Sequence, residues 1–291
     1  MSATLLSDVS NQVQKFWAPT FMPQLKEQVL LPNLMNKDYE GEIKRGGDTV
    51  YVSQINRPSA QRKTVGSGAE SFSSQQLSTS RISVVANQRI TASYELEDLT
   101  DLQSQLTKEN SAIKQALLDS IEIELNNYCY SLVAPSTSSP DHSIASVTDF
   151  NLAQVVAMRN LAAQAKWKKD NWWLLVDPIF MGDLLDDTTL TSGDYAPDSP
   201  MVGGQFALKR FGFNILEDNS AGILTLSSTG QDVALGFHSD FAHLVMQRQP
   251  TIQVSSLHPN KQHGYLISVD ILVGGALGVD GASKHIVAYN S

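Results

Sequence analysis

The sequence predicts an α+β protein in which a long β-ribbon, a long helix and a mixed α/β region follow one another along the chain. Three observations predict it. From Arg81 to Leu96 apolar residues alternate with polar ones, with Ile82, Val84, Ala86, Ile90, Ala92, Tyr94 and Leu96 all at even positions; that is the period of a strand with one covered face. The period then changes to 3.6, and Leu99, Leu102, Leu106, Ile113, Leu117, Ile121, Leu125, Tyr128 and Leu132 form one helical stripe. Beyond a Ser/Pro-rich stretch at Pro135–Ser146, helical patterns and short apolar runs bounded by turn residues share the remaining chain.

The elements follow in order. Leu5, Leu6, Val9, Val13, Phe16 and Trp17 fall at helical spacing, and Pro19 and Pro23 then interrupt regular structure. This leaves Phe16, Trp17 and Phe21 on a proline-broken arm. Aromatics so placed need a cover, from their own domain or from a neighbouring subunit. Gly46-Gly47-Asp48 marks a turn into a strand at Thr49–Val52. The polar stretch Arg57–Ser80 has only Val65, Phe72 and Leu77 as large apolar residues, so Thr49–Leu96 reads as a β-hairpin with a polar tip. Sixteen alternating residues span roughly 50 Å at 3.3 Å each, against about 5–6 residues for an ordinary strand. Such a ribbon outreaches a compact domain and should lie on another molecule.

The helix is expected from about Thr100 to Val133, roughly 50 Å long, with Asp98 or Thr100 as N-cap and Pro135 beyond its end. Its stripe drifts and is interrupted by Asn110, which favours packing along a sheet over a coiled coil. Asp149 opens a further helix carrying Leu152, Val155, Val156 and Leu161, and Lys166–Asn171 turns the chain. Trp172–Val176 is a short buried strand, and Asp177-Pro178 starts a helix with aspartate as cap and proline in the first turn. A long polar loop fills Asp186–Gly204. Strands are expected near Phe211–Leu216, Ile223–Leu226, Val233–Phe237, Ala242–Met246, Ile252–Val254, Tyr265–Val273 and His285–Tyr289.

Composition narrows the function. The net charge of -9 argues against a nucleic-acid reader, which carries a basic face, and is compatible with a wall around DNA that must not grip phosphates. Cys129 stands alone, so no intrachain disulfide forms; its apolar surroundings predict a buried, inert thiol. Met1–Ser10 lacks the pattern of a signal peptide, and Ile271–Val279 falls far short of the ~20 residues of a membrane span, so a cytoplasmic product is expected. No catalytic constellation emerges. His238 and His243 miss the i, i+4 spacing of a zinc pair, no G-x-S-x-G elbow occurs, and neither Gly66-Ser67-Gly68 nor Gly274-Gly275-Ala276-Leu277-Gly278 has the ending of a phosphate loop. Asp183, Asp186 and Asp187 read as solvated carboxylates at a helix end. The expectation is a protein that is not an enzyme, with no catalytic, cofactor-binding or metal-ligating residues.

In this order of parts the chain resembles the major capsid proteins of tailed double-stranded DNA bacteriophages, whose fold encapsulins share. Phe16-Trp17-Ala18-Pro19 is similar to their arm. So is the block Val29-Leu30-Leu31-Pro32-Asn33-Leu34-Met35-Asn36-Lys37-Asp38-Tyr39-Glu40-Gly41-Glu42-Ile43-Lys44, followed by Gly47-Asp48-Thr49-Val50 and Ile55-Asn56-Arg57-Pro58. Val176-Asp177-Pro178 and Gly203-Gly204 resemble the central domain more loosely. The likeness runs through the whole chain but is sharp over residues 16–58.

The resemblance implies an N-terminal arm (residues 1–40), an extended hairpin loop with its base strands (41–96), a peripheral domain with the spine helix (97–147) and an axial domain (148–231). Return strands of the peripheral domain (232–262) and C-terminal strands closing the axial domain (263–291) complete it. It also implies hexamers and pentamers of one chain in an icosahedral head around double-stranded DNA held by weak non-specific contact, assembled in the host bacterial cytoplasm. A separate scaffolding protein, a portal protein at one vertex and room for a decoration or cement protein belong to the same expectation, with no cofactor and no membrane. The contact residues it points to are Arg57, Arg62, Lys63, Phe72 and Leu77 on the loop, and Phe16, Trp17 and Phe21 on the arm. Arg57–Ile90 carries a net charge of +4 and Glu95–Val133 one of -6, so Glu97, Asp98, Asp101 and Glu109 are expected to guide a neighbour's basic loop into register. Two alternatives stand beside this: an encapsulin-like compartment that packages an enzyme, and a soluble α/β enzyme with an oligomerising hairpin.

Overall fold

The computed structural model describes residues 25–43, 48–65, 72–98, 111–133, 143–144, 147–187, 207–227, 232–256 and 263–290. The expected N-terminal helix, Phe16, Trp17 and Phe21, and the acids Asp101 and Glu109, lie outside them. Two short helices come first, α1 (Leu31–Leu34) and α2 (Glu40–Ile43). Strands β1 (Thr49–Ile55), β2 (Thr79–Val85) and β3 (Gln88–Glu97) follow, then the long helix α3 (Ser111–Val133) and the two-residue β4 (Ser143–Ile144). Next are α4 (Leu152–Gln164), β5 (Trp172–Val176), α5 (Pro178–Asp186), β6 (Ala207–Arg210), β7 (Phe213–Glu217) and the single-turn α6 (Ala221–Leu224). Four strands close the chain: β8 (Val233–His238), β9 (Ala242–Ser256), β10 (Gly264–Leu277) and β11 (His285–Tyr289).

The strands form three sheets: β1-β2, β3-β10-β9, and a six-stranded sheet in the order β4-β11-β8-β5-β7-β6. The six-stranded sheet is mixed, with parallel pairs β4/β11 and β5/β7 and antiparallel pairs elsewhere. Both its faces are covered, which is why Trp172-Trp173-Leu174-Leu175-Val176 reads as an unbroken apolar run. Leu174 and Val176 face a core with Val155, Met158 and Ala162 of α4 and Phe180 and Leu184 of α5. Leu175, Leu235, Phe237 and Val287 face a second core shared with α3.

Helix α3 is the element that joins the sheets. Leu117, Ile121, Leu125, Cys129 and Val133 pack in one core with Ile267, Val269, Ile271 and Val273 of β10 and with the apolar residues of the six-stranded sheet. Its described 23 residues span about 34 Å; the expected first part, 99–110, lies outside the described residues. On the opposite face of the three-stranded sheet, Asp270 of the central strand holds Arg89 of β3 and Arg248 of β9, each at 3.0 Å.

Several expectations are corrected. The alternation from Arg81 to Leu96 is two strands in two sheets, broken at Ala86-Asn87, where Asn87 N bonds Val85 O at 3.1 Å. The junction is pressed against Gly274 of β10, where a Cβ would run into the Val85 carbonyl. Two residues intervene, so the even phase survives the break. Ile223–Leu226 is not a strand: Ile223 and Leu226 are both buried from a helical turn whose Leu226 N bonds Ile223 O. The strands expected at Ala242–Met246 and Ile252–Val254 are one, β9, which crosses Pro250 through register irregularities opposite Asp270–Val273. A proline is tolerated there because β9 is an edge strand. Helix α4 is capped by Asn151, whose side chain accepts from Ala153 N at 3.0 Å, two residues after Asp149. β8 of the 232–262 segment joins the six-stranded sheet, and β10 of the 263–291 segment joins the three-stranded one.

Candidate self-association surface

The hairpin is the feature that the molecule does not cover. β1 and β2 pair from Thr49↔Val85 to Ile55↔Thr79, and Asn56 N bonds Ser78 O beyond them. Past that point side chains continue the ribbon: Ser59 N donates to Gln75 Oε1 at 2.9 Å, and Gln61 Nε2 to Ser73 O at 2.9 Å. From Thr49 to Gln61 the ribbon measures roughly 40 Å at 3.3 Å per residue, about twice the radius of gyration expected of a compact chain this long. Its root is anchored by Val50, Val52, Val84 and Ala86, which share a small core with Ile43 and Val245. Its outer part leaves Ile55, Val65, Phe72 and Leu77 between 65% and 90% exposed.

The residues singled out from the sequence fall as follows. Arg57, Arg62 and Lys63 are exposed on the outgoing limb, and Phe72 and Leu77 on the returning one. Lys63 Nζ lies 5.3 Å from the centroid of the Phe72 ring, a cation–π contact that ties the two limbs near the tip. Glu97 and Asp98 are exposed at the end of β3, the edge strand of its sheet. Among the described residues, no ion pair joins Arg57, Arg62 or Lys63 to these acids within one chain. The charges expected to meet are therefore both presented outward.

The root of the N-terminal arm is strapped to the body. Lys26 pairs with Asp119 at 2.9 Å and with Glu122 on α3. Gln28 N donates to Asn219 Oδ1, and Ala221 N to Glu27 Oε2. Further on, Leu244 N donates to Asn36 O, and Asn36 Nδ2 donates to Asp240 Oδ1 at 3.0 Å. Tyr39 sets its ring edge-on to His243 at 5.2 Å. His243 is buried among these groups, and burial pushes its imidazole below the ordinary range despite the nearby carboxylates of Asp240 and Asp38.

A cleft of about 710 Å³ opens at the hairpin root, and sequence reasoning missed it. Arg57, Gln54 and Asn56 form one wall; Lys166, Trp167 and Lys168 of the α4–β5 turn, with Lys284 and Ser283, form the other. The second wall is rigid: Trp167 Nε1 donates to Ser283 O at 2.7 Å. His238 lies at its floor with both ring nitrogens taken, Nδ1 accepting from Asp240 N at 3.1 Å and Nε2 lying 3.3 Å from Asp170 Oδ1. The run Lys166-Trp167-Lys168-Lys169 was the available sequence signal; Lys284 had none, because it arrives from 116 positions away.

The remaining buried polar groups serve structure. Cys129 is fully buried and its thiol is pushed up to about 12 by burial. Tyr130 of α3 donates to the buried Asp218, which also accepts from Ser220 N at 2.8 Å. No cluster of histidine, cysteine or acidic residues able to hold a metal occurs among the described residues, and no described helix is long and apolar enough to cross a membrane.

No family model matches the chain, and no curated protein matches it. Solved structures do. A structure of Mycobacterium phage Che8 superposes with a TM-score of 0.77 at 17% identity, covering 95% of this chain and 96% of that one. A chain of the capsid of cyanophage P-SCSP1u gives 0.73 at 11% identity over 97% and 94%. One from the capsid asymmetric unit of cyanophage Pam1 gives 0.73 at 11% identity over 97% of each. Coverage is nearly complete in both directions. The chain has the fold of these phage capsid structures.

Proposed function

We propose that this chain is the major capsid protein of a tailed phage, a structural subunit that assembles with copies of itself into hexamers and pentamers of an icosahedral head. One observation carries the reading beyond the shared fold: a roughly 40 Å ribbon whose apolar side chains its own body leaves in water. A two-stranded ribbon is marginal alone, so a neighbouring copy is the surface that stabilises it. In this reading Arg57, Arg62, Lys63, Phe72 and Leu77 lie against that neighbour, with Glu97, Asp98, Asp101 and Glu109 among the groups they meet. Phe16, Trp17 and Phe21 add contacts from the arm. The six-stranded sheet with α4 and α5 is the axial part, and α3 with β3, β9 and β10 the peripheral part. Scaffolding protein during assembly, a portal at one vertex, an optional decoration protein and enclosed double-stranded DNA complete the expected partners.

Electron microscopy and sedimentation of the purified chain, alone and co-expressed with a scaffolding protein, test this. Closed shells of uniform curvature are expected in at least one condition. A folded chain that stays monomeric at high concentration in both refutes the proposal, and shells filled with an enzyme in place of nucleic acid refute the phage assignment in favour of a cellular compartment.

A further inference from the structure

We infer that the cleft at the hairpin root is the docking site for the acidic end of β3 on a second copy of this chain, with Glu95, Glu97 and Asp98 as the entering groups. The inference rests on the shell reading above and adds to it a defined pair of surfaces. Four cations line the cleft, Arg57, Lys166, Lys168 and Lys284, against two carboxylates, Asp240 and Asp280. Burial opposes ionisation of Asp240, but Asn36, His238, Lys284 and Lys168 together hold its carboxyl below the usual range. Among the described residues the Asp280 carboxylate accepts a long bond of 3.4 Å from Gln54 Nε2. An excess of two positive charges is left facing solvent. Among the described residues Arg57, Lys166 and Lys168 have no anionic partner within hydrogen-bonding distance.

The occupant is argued from charge and shape. Glu95 and Glu97 share a face of β3 by the period of a strand, and Asp98 follows directly; all three are exposed. They sit on an edge strand, where side chains can enter a cleft without a neighbouring strand in the way. The cleft volume is in the range that holds a drug-sized ligand, which is the bulk of a few side chains. Arg57 belongs to the hairpin, whereas Lys166, Lys168 and Lys284 belong to the body. A carboxylate lodged between them therefore sets the angle at which the ribbon leaves the subunit. Docking at the root and covering of the tip then occur in one register, with Arg62 and Lys63 left for acids further along the neighbour.

Charge reversal tests this on the full chain. Lys166→Glu with Lys168→Glu, and separately Glu95→Lys with Glu97→Lys and Asp98→Lys, should each raise the concentration needed for assembly at least about tenfold, since like charges across an interface cost several kcal/mol. Thermal unfolding of the unassembled subunit should shift by no more than a few degrees, because all five positions are exposed and only Lys168 acts on a partly buried carboxyl, that of Asp240. The five substitutions combined in one chain should return assembly to within about threefold of the wild type. Shells from the wild type with no recovery in the combined variant overturn the inference and leave the shell reading standing. Unchanged assembly of the Lys166→Glu, Lys168→Glu variant, with less nucleic acid retained, overturns it in favour of a phosphate ligand. A wild type that forms no shells removes the shell reading and this inference with it.

Discussion

Replacing Tyr130 by Phe separates a charge-assisted buried hydrogen bond from an ordinary one. Tyr130 and Asp218 are both 0% exposed, and the Tyr130 hydroxyl donates to Asp218 Oδ2. Ser220 N occupies the other carboxylate oxygen at 2.8 Å. This bond links α3 to the end of β7, and so ties the helix that carries the three-stranded sheet to the six-stranded one. Without the hydroxyl, one oxygen of a buried carboxylate loses its donor where water cannot reach it. A hydrogen bond to a charged group contributes about 1.5–3 kcal/mol, so Tyr130→Phe should destabilise by about 2–3 kcal/mol and lower Tm by roughly 3–5 °C. Tyr128→Phe is the internal comparison. Its hydroxyl accepts from Gly275 N at 2.9 Å, a neutral bond at a half-buried site, and its loss should cost only about 1 kcal/mol. Urea unfolding of the unassembled subunit, followed by tryptophan fluorescence, measures both. Adding Asp218→Asn should show coupling with Tyr130→Phe and none with Tyr128→Phe. Equal losses for the two tyrosines, or a Tyr130→Phe loss under about 0.5 kcal/mol, would refute the reasoning.

Three further outcomes are expected. Burial, with Asp232 and Asp183 nearby, outweighs the bonds from Phe180 N and Ile179 N and raises the Asp177 carboxyl to about 6. The folded state then binds more protons than the unfolded one between about pH 4 and 6, so this contribution is full below pH 4 and lost as pH rises through 6. Asp177→Asn, which keeps an acceptor for the cap, should flatten that slope and gain about 1–2 kcal/mol at neutral pH after allowance for screening, read from denaturation across pH. Gly274→Ala should cost about 1–3 kcal/mol and speed hydrogen exchange at Val84, Val85 and Ala86, because the added Cβ meets backbone and not a movable side chain. Phe72→Ser with Leu77→Ser should leave subunit stability within about 0.5 kcal/mol, both being largely exposed, while abolishing assembly in a sedimentation assay; preserved assembly would remove the hairpin from the contact.

What could be read from the sequence was local. Asp177-Pro178 opens a helix as expected because a cap and a first-turn proline act within four residues. Trp172–Val176 is a buried strand because both its faces are apolar. The misreadings have a common source: each was settled by a partner distant in sequence. Ala86-Asn87 breaks an alternation whose one exception in the sequence is the neighbouring Gln88, at the point where Gly274 of β10 meets the chain. Ile223 and Leu226 look like strand residues until Tyr130 packs beside Gly222 and leaves room only for a helical turn. The acidic and basic runs were visible, but Lys166, Lys168 and Lys284 became one surface only when the turn after α4 met the turn before β11. Phe72 and Leu77 stood out in the sequence as two of the three large apolar residues of a polar stretch, and both are exposed; their contact role came from the resemblance.

The body and the ribbon obey different rules, and that contrast is the physical argument for the self-association proposed above. In the body, both faces of the six-stranded sheet and the inner face of the three-stranded one are covered by helices, so most of its large apolar residues are buried within the subunit. In the ribbon, the same chemistry is satisfied only as far as Val84 and Val52; beyond them the backbone ladder runs on to Asn56 and Ser78, and past that the limbs are held by glutamine and serine side chains that water can replace. Covering a large apolar side chain contributes about 1.5–3 kcal/mol, and Ile55, Val65, Phe72 and Leu77 together offer several times that to any surface shaped to receive them. A copy of the same chain is present at the same concentration and carries the acids that match the ribbon's cations. In the proposed shell, a body whose cores lie apart from the outer ribbon would let subunits fold first and associate second, which keeps assembly from being a folding problem as well.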